Sequence, residues 1–404
     1  MAAVRFLGKL VAFTGILAFL VGLMLHFHLA TYVYLAWAFA GSLAIYLWSR
    51  PSVGSLVATV SLGAAFAAIY GAVEGGPVLG AALAFLGLGS LAQLCRSALW
   101  GSAAGRQASL DTCLTACMFP LFLVIAGFSL AVTSEVHPKT YDMYLYAFDE
   151  QLGFQPSFLI GRLFARFSGI RQICYFGYEA LPLAMAIAFA KERSAARMQP
   201  SSIMLAFTVA AAGGFLLYNF YPAVGPVHVF GSQFPLKPPL AGSPPFPLVA
   251  AGAAPRNAMP SVHIAMALLI LWNSRSWGAV WRWLAGALLV VTGLATLGFG
   301  EHYLVDLFVA APFALLAQAA AAVGVPWRNA ARIASGATGA ALVTAWLAYL
   351  RLPAPPLYGN RAWAGCALLG TAIVVWWLER RLHRATFRRV LSKENMPGGH
   401  ARAA

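Results

Sequence analysis

The chain has few charged residues, and this shortage restricts the class of protein it can be. Charged side chains make up 10% of the residues and hydrophobic ones 61%, with a mean hydropathy of +0.75. Soluble globular proteins carry about 25% charged residues, so the composition excludes that class. It is typical of a polytopic helical membrane protein.

Cysteine and acidic residues are also scarce. The five cysteines include no CxxC pair and follow no metal-ligand spacing, so they indicate neither a zinc site nor a redox motif. Twelve acidic residues stand against 27 basic ones. The basic residues recur in alternate connections between apolar runs, among them Arg50, Arg96, Arg282 and Arg328. This is the positive-inside pattern, which predicts cytoplasmic termini and membrane lipids, not nucleic acid, as partners.

Apolar runs long enough to cross a bilayer occur along nearly the whole chain. A helix of about 20 apolar residues spans the hydrocarbon core. The predicted fold class is therefore all-α, a polytopic membrane helical bundle. We place about twelve transmembrane helices near residues 5–27, 31–49, 53–73, 77–97, 113–133, 171–190, 201–220, 260–276, 279–299, 302–323, 329–350 and 361–379.

Two long connections, 134–170 and 221–259, separate these runs and are predicted to lie on the outer side. The first mixes aromatic and charged residues, which suits a helix in the membrane interface. Its Asp142 and Asp149 are interpreted as solvated or helix-capping residues, with substrate contact as the alternative. The second is rich in proline and glycine, which predicts a rigid irregular cap in preference to a slack linker.

Two histidine motifs carry the strongest functional signal. Pro260-Ser261-Val262-His263 begins one apolar run, and His302 begins another. About forty residues separate the histidines, enough for one helix across the bilayer, a turn and one helix back. We therefore expect both histidines at the same membrane face, the outer (periplasmic, extracellular or lumenal) one.

The residues around the first histidine suit the binding of phosphate. Pro260 fits the first turn of a helix, where its missing N–H has no cost. The backbone amides that follow, together with the Ser261 hydroxyl, form an anion site. Arg256 and Asn257 stand just upstream and are expected to close on the phosphate.

The second motif suits nucleophilic catalysis. His302 and Asp306 are four residues apart and share a helix face, so the carboxylate can hold one imidazole nitrogen. The other nitrogen can then attack phosphorus, while His263 serves as general acid and base. Each motif alone is also compatible with an ordinary helix start or a structural histidine–aspartate pair. Their conjunction on one predicted face favours a catalytic site.

At these residues the chain resembles the type-two phosphatidic acid phosphatase superfamily, which is related in its active site to vanadium haloperoxidases. The matching stretches are Asn257 to His263 and Gly300 to Asp306, and they look most like the inositol phosphorylceramide synthase-like branch. The resemblance implies that His302 is the nucleophile, Asp306 its partner and His263 the acid and base, with no metal and no cofactor.

The resemblance also implies a domain organisation. A six-helix catalytic core would cover about residues 111–325, including the outer interfacial segment 134–170. Residues 1–110 would then be N-terminal accessory transmembrane helices. Residues 326–404 would be two C-terminal transmembrane helices and a basic cytoplasmic tail.

The chain departs from the superfamily in its phosphate-binding residues. The first superfamily motif has a lysine and an arginine before a proline, and the stretch from Tyr218 to Gly225 has neither. Thr296 stands where an arginine usually precedes the histidine of the third motif. Phosphate and substrate binding are therefore expected from other residues, namely Arg256, Asn257, Ser261, Tyr221, Tyr303 and Lys237, with His228 as a further candidate.

Three functions follow from this sequence. The first is an integral membrane phosphotransferase that moves a phosphoryl or phospho-alcohol group, such as inositol phosphate, from a phospholipid donor to a lipid alcohol or polar acceptor through a phosphohistidine. The second is a lipid phosphate phosphatase, in which water is the acceptor. The third is a membrane transporter, which the absence of a repeat between the two halves disfavours.

Overall fold

The structure is a computed structural model that describes residues 2–28, 33–75, 81–194, 202–353 and 355–394. These residues form sixteen α-helices and one two-stranded sheet. The all-α prediction is confirmed. The helices are α1 (Ala2–His26), α2 (Val33–Trp48), α3 (Val53–Glu74), α4 (Ala82–Trp100), α5 (Ala103–Val136), α6 (Asp142–Glu150), α7 (Pro156–Arg166), α8 (Ser168–Glu179), α9 (Leu181–Ser194), α10 (Ile203–Phe220), α11 (Pro226–Phe230), α12 (Val262–Asn273), α13 (Ala279–Gly298), α14 (Leu304–Ala321), α15 (Ala330–Tyr349) and α16 (Arg361–Glu394).

Eight of the described helices are long and apolar enough to cross a membrane, namely α1, α3, α4, α5, α10, α13, α14 and α16. The count becomes nine if α8 and α9 form one bent span. These helices indicate an integral membrane protein. The helices α2 and α12 are shorter, with 16 and 12 residues, so the predicted count of about twelve stays a prediction. Parts of two predicted spans, 31–32 and 77–80, lie outside the described residues.

The chain divides into two compact units, of which the first comprises residues 1–127 and 179–191. Within it, α4 packs closely on α2 and α3 through glycines. A Cβ on Gly87 would lie 2.1 Å from the carbonyl oxygen of Phe39, and one on Gly89 would lie 2.4 Å from that of Thr59. Only glycine therefore allows the backbones to approach this closely, which is common between membrane helices.

The second unit comprises residues 128–178 and 192–404 and contains both histidine motifs. Its central helix is α14, which packs against α10, α12, α15 and α16. The inward residues Val305, Val309 and Phe313 are buried. The two units are defined by how the helices pack, which does not test function. The predicted domain boundaries at residues 110 and 325 therefore stay a prediction.

The two long connections are joined in the second unit by the small sheet. The strand β1 (Lys139–Thr140) pairs antiparallel with β2 (Val249–Ala250). The proline-rich connection also packs against α7, because the Phe234 ring lies 5.0 Å from that of Phe158. This connection is thus a packed segment and not a slack linker.

The helix α8 packs against α13 at small residues. A Cβ on Gly177 would lie 2.3 Å from Cγ1 of Val291. On the same side, the buried Cys174 packs with Phe164 and Ala295. This contact fixes α8 beside the helix that leads to His302.

The packing at Gly177 predicts a specific loss of stability. Gly177→Ala should lower the thermal midpoint of the purified protein, because overpacking a tight contact costs about 1–3 kcal/mol. A second change, Val291→Ala, should restore most of the loss. The matched control is Gly169→Ala in the same helix, where a Cβ meets nothing within 4 Å. If Gly177→Ala and Gly169→Ala lowered the thermal midpoint equally, the packing argument would be contradicted.

Candidate active site

His263 and His302 lie side by side in the second unit. His263 is in the first turn of α12, and His302 is in the turn that leads into α14. Their ring centroids are 6.4 Å apart, with 69° between the ring planes. This is the juxtaposition that the spacing of the motifs predicts, while the catalytic roles of the two residues stay predictions.

The hydrogen bonds of His302 identify which ring nitrogen is available for chemistry. Its Nδ1 lies 2.8 Å from the carbonyl oxygen of Ala258. A carbonyl oxygen only accepts, so Nδ1 carries the proton and Nε2 holds the lone pair. The Ser261 hydroxyl lies 3.2 Å from Nε2 and is placed to donate to it. His302 is therefore held in the tautomer whose Nε2 can act as a nucleophile.

Asp306 lies farther from His302 than the sequence predicts for a direct partner. Its Oδ2 is 3.5 Å from Nδ1 and accepts a 2.8 Å hydrogen bond from the backbone N–H of Tyr303. Its Oδ1 is buried and has no hydrogen-bond partner among the described residues. The Ala258 carbonyl thus orients the imidazole, and the Asp306 carboxylate acts on it mainly through charge.

His263 is packed against an aromatic residue of α8. The Tyr178 ring stacks on the imidazole with centroids 4.5 Å apart and 25° between the planes. The Tyr178 hydroxyl lies 3.5 Å from Nδ1 of His263. His263 is half-buried, whereas His302 is only 2% exposed. Of the two histidines, His263 is thus the more accessible.

The backbone on either side of His302 is also held. The N–H of His302 donates to the carbonyl of Thr296 at 3.1 Å, and the Ser157 hydroxyl donates to the carbonyl of His302 at 2.7 Å. Thr296 stands where the resemblance predicts an arginine, and here it contributes a backbone carbonyl. The position of His302 is thus set by α13 and α7 together.

Two buried aspartates of α6 bind the backbone around the site. The Asp149 carboxylate accepts hydrogen bonds from the amides of Leu304 at 2.6 Å and Val305 at 3.1 Å, and so caps the start of α14. The Asp142 carboxylate accepts from the amide of Gly225 at 2.8 Å and from the Tyr303 hydroxyl at 3.0 Å. Of the two interpretations offered by the sequence, capping is the one observed for Asp149.

The sequence contains one signal for this role. Asp142 and Asp149 are seven residues apart, or two helical turns, so they lie on the same face of α6. Burial raises the pKa of both carboxyl groups, and backbone amide donors oppose that shift. The charged form of each carboxylate is therefore stabilised by the backbone amides that donate to it.

Arg256 does not face the histidines, contrary to the sequence prediction. Its side chain is fully buried. Its five N–H groups donate to five backbone carbonyls, those of Ser134, His137, Ala251, Gly252 and Ala254. The guanidinium thus joins the end of α5 to the loop before α12 and has no donor left for a phosphate.

Other predicted binding residues are also engaged elsewhere. The Tyr221 hydroxyl donates to the carbonyl of Leu350 at 3.1 Å, and that of Tyr303 donates to Asp142. Lys237 lies exposed on the proline-rich connection. Ser261 and Asn257 remain the better placed pair, because Ser261 contacts His302 and Asn257 is half-exposed beside Ala258.

The start of α12 differs by two residues from the prediction. Pro260 lies before the helix, after a cis peptide bond, and Ser261 is the N-cap. The helix begins at Val262, and the Ser261 hydroxyl oxygen accepts from the amide of Ile264 at 3.5 Å. The N-cap Ser261 still contacts His302, so the start of the helix, where an anion site is expected, lies at the histidine.

A histidine–glutamate pair lies beside the site. Nε2 of His228 in α11 is 3.5 Å from Oε2 of Glu301, the residue before His302. The hydrogen bond that His228 donates to the Glu301 carboxylate raises the pKa of His228 above its ordinary value. This pair connects α11 to the turn that carries His302.

The site geometry agrees with the comparison to protein families. Residues 143–320 match the family model described as the PAP2 superfamily. The matched segment includes His263, His302 and Asp306, and it indicates an enzyme of a phosphatase or phosphotransferase family. No curated protein and no solved structure gives a significant match to the chain.

The contacts of Asp149 predict a graded loss of stability. Asp149→Ala leaves two buried amides without an acceptor, and each costs about 1–3 kcal/mol. Asp149→Asn keeps one acceptor oxygen and should lose less. We expect the thermal midpoint to fall from wild type to Asp149→Asn and to fall further in Asp149→Ala. Hydrogen exchange around residues 301–306 should be faster in both variants than in wild type. The exposed Asp111→Ala is the control, and an equal loss there would contradict the capping role.

The His228–Glu301 pair predicts a pH-dependent contribution to stability. Because the folded-state pKa of His228 is raised, the contribution is present below its ordinary value and is lost as pH rises through the raised pKa. His228→Gln should therefore lower the thermal midpoint at pH about 6 and have little effect at pH about 9. Both side chains are 35% exposed, so the effect is small. Glu301→Gln should remove the same pH dependence, and a pH-independent difference would contradict the pairing.

Proposed function

We propose that the protein is an integral membrane phosphotransferase of the inositol phosphorylceramide synthase-like type. It takes a phosphoryl or phospho-alcohol group, such as inositol phosphate, from a phospholipid donor and passes it to a lipid alcohol or polar acceptor. The observation that carries the proposal is the fixed tautomer of His302. Its Nδ1 proton is held by the Ala258 carbonyl, which leaves the lone pair on Nε2, and the ring lies beside that of His263.

The first half of the reaction uses both histidines. Nε2 of His302 attacks phosphorus, forming a P–N bond while the P–O bond to the lipid alcohol breaks. The leaving oxygen takes a proton from His263. The product is a phosphohistidine and a lipid alcohol such as diacylglycerol. The Asp306 carboxylate stabilises the positive charge that develops on the imidazole.

The second half reverses these steps with another alcohol. His263 removes the proton of the acceptor hydroxyl, whose oxygen attacks phosphorus as the P–N bond breaks. The Ser261 hydroxyl, the Asn257 side chain and the first amides of α12 bind the phosphoryl oxygens. The resemblance of the two motifs to the inositol phosphorylceramide synthase-like branch supports an alcohol over water as the acceptor.

We also propose that the site faces the outer side of the membrane, with both termini in the cytoplasm. The distribution of basic residues between the apolar runs supports this orientation. Both histidine motifs begin helices that would run inward from that face. Donor and acceptor would then be lipids whose headgroups reach the outer surface.

The mechanism predicts that one histidine is indispensable. His302→Ala should lower the rate of transfer by about a thousandfold or more and abolish the phosphohistidine, with the thermal midpoint largely kept. His263→Ala should lower the rate by about 10²–10⁴-fold. The exposed His26→Ala is the control and should behave as wild type.

The fate of labelled phosphorus measures this prediction. Purified protein receives phosphate-labelled phosphatidylinositol and phosphatidic acid with diacylglycerol and ceramide. Label that appears in a new lipid supports the phosphotransferase. Label that is released as free phosphate shows that the protein is a phosphatase instead. Full activity of the His302 variant would overturn the mechanism.

A further inference from the structure

The helix α7 has one buried face and one exposed face of different character. Phe158, Gly161 and Phe164 are buried against the rest of the second unit. Arg162 and Arg166 are exposed, one turn apart on the opposite face. A helix of this kind lies along a surface, with its apolar face packed and its basic face outward.

The following helix extends the same surface with a third arginine and apolar side chains. Arg171 is exposed in the first turn of α8. Farther along α8, Ile173 is 65% exposed and Phe176 is 55% exposed. In a membrane protein such apolar residues face acyl chains, so arginines one or two turns away lie near the level of the headgroups. We call Arg162, Arg166 and Arg171 the arginine platform.

Both ends of this helical pair contact the histidines. Ser157, at the start of α7, donates to the carbonyl of His302, and Tyr178, near the end of α8, stacks on His263. At 1.5 Å per residue, Arg162 stands roughly 7–8 Å along α7 from Ser157, and Arg171 roughly 10 Å along α8 from Tyr178. The platform therefore lies between two elements that position the site.

The charge of the arginine platform complements one class of membrane component. Guanidinium groups bind phosphate oxygens in a bidentate manner and bind them better than ammonium groups do. Near the histidines, the buried Arg256 is already bound to backbone carbonyls. The exposed arginines of α7 and α8 are thus the cations of this segment that can reach phosphate in the membrane surface.

We propose that the arginine platform binds the headgroup phosphates of acidic phospholipids around the site and thereby holds α7 and α8 in place against the two histidines. The occupant is a lipid headgroup in the bilayer, not a soluble anion. The proposal concerns binding and goes beyond the transfer reaction, so it can fail or succeed independently of it.

Hydrogen exchange in nanodiscs tests the proposal without any turnover. The full chain is placed in neutral phosphatidylcholine and in mixtures with increasing phosphatidylglycerol. We expect exchange of segment 156–176 to slow as the acidic lipid increases. Each Arg→Gln change should raise the acidic lipid fraction needed for half the effect by about fivefold, and the triple variant R162Q/R166Q/R171Q should abolish it.

Two matched variants separate the platform from general charge. The triple lysine variant R162K/R166K/R171K should keep most of the protection, which also shows that the segment tolerates substitution. R282Q/R328Q/R384Q removes three exposed arginines elsewhere and should keep all of it.

Three outcomes would overturn the proposal. The first is equal exchange in neutral and acidic nanodiscs. The second is full protection in the triple glutamine variant. The third is protection by inorganic phosphate in neutral nanodiscs, which would reassign the platform to a soluble anion.

Discussion

Two carboxylates on one short helix hold together segments that are far apart in the sequence. Asp149 binds the amides at the start of α14, and Asp142 binds the amide of Gly225 and the hydroxyl of Tyr303. A buried carboxylate is costly unless donors surround it, and a buried amide is costly without an acceptor. The turn that carries His302 therefore has one favourable position, in which all of these groups are paired. The hydrogen bonds of His302 itself depend on that position.

The proposed function requires the site to bind an anion with little positive charge of its own. All N–H groups of Arg256 donate to backbone carbonyls, and Thr296, which stands where the resemblance predicts an arginine, accepts from His302 through its backbone carbonyl. What remains beside His302 is the N-terminus of α12 and the Ser261 hydroxyl. Such dipolar groups avoid the desolvation cost of a buried cation, and their effect is strong in a medium of low dielectric constant. A site of this kind fits a segment enclosed by apolar helices.

The sequence predicts the features that depend on local pattern and misses those that depend on distant contacts. The apolar run 279–299 corresponds to α13 (Ala279–Gly298), and the spacing of the motifs brings the histidine rings together. The buried position of Arg256 has no sequence signal, because its carbonyl partners include His137, more than a hundred residues away, and no local pattern marks them. The contact of Asp149 with Leu304 spans 155 positions and has no local signal either. Pairings of this kind are set by tertiary packing.

The hydrogen bond between Ser261 and His302 has a consequence for how the protein rests between turnovers. The serine hydroxyl has a single proton, so it can donate to Nε2 or to a phosphate oxygen, but not to both at once. In this structure the hydroxyl covers the Nε2 lone pair. Under the proposed mechanism, an arriving phosphate would attract the hydroxyl and uncover the nitrogen in the same movement. The headgroup of the substrate would then itself activate His302, and a small electrophile without phosphate would meet a covered Nε2.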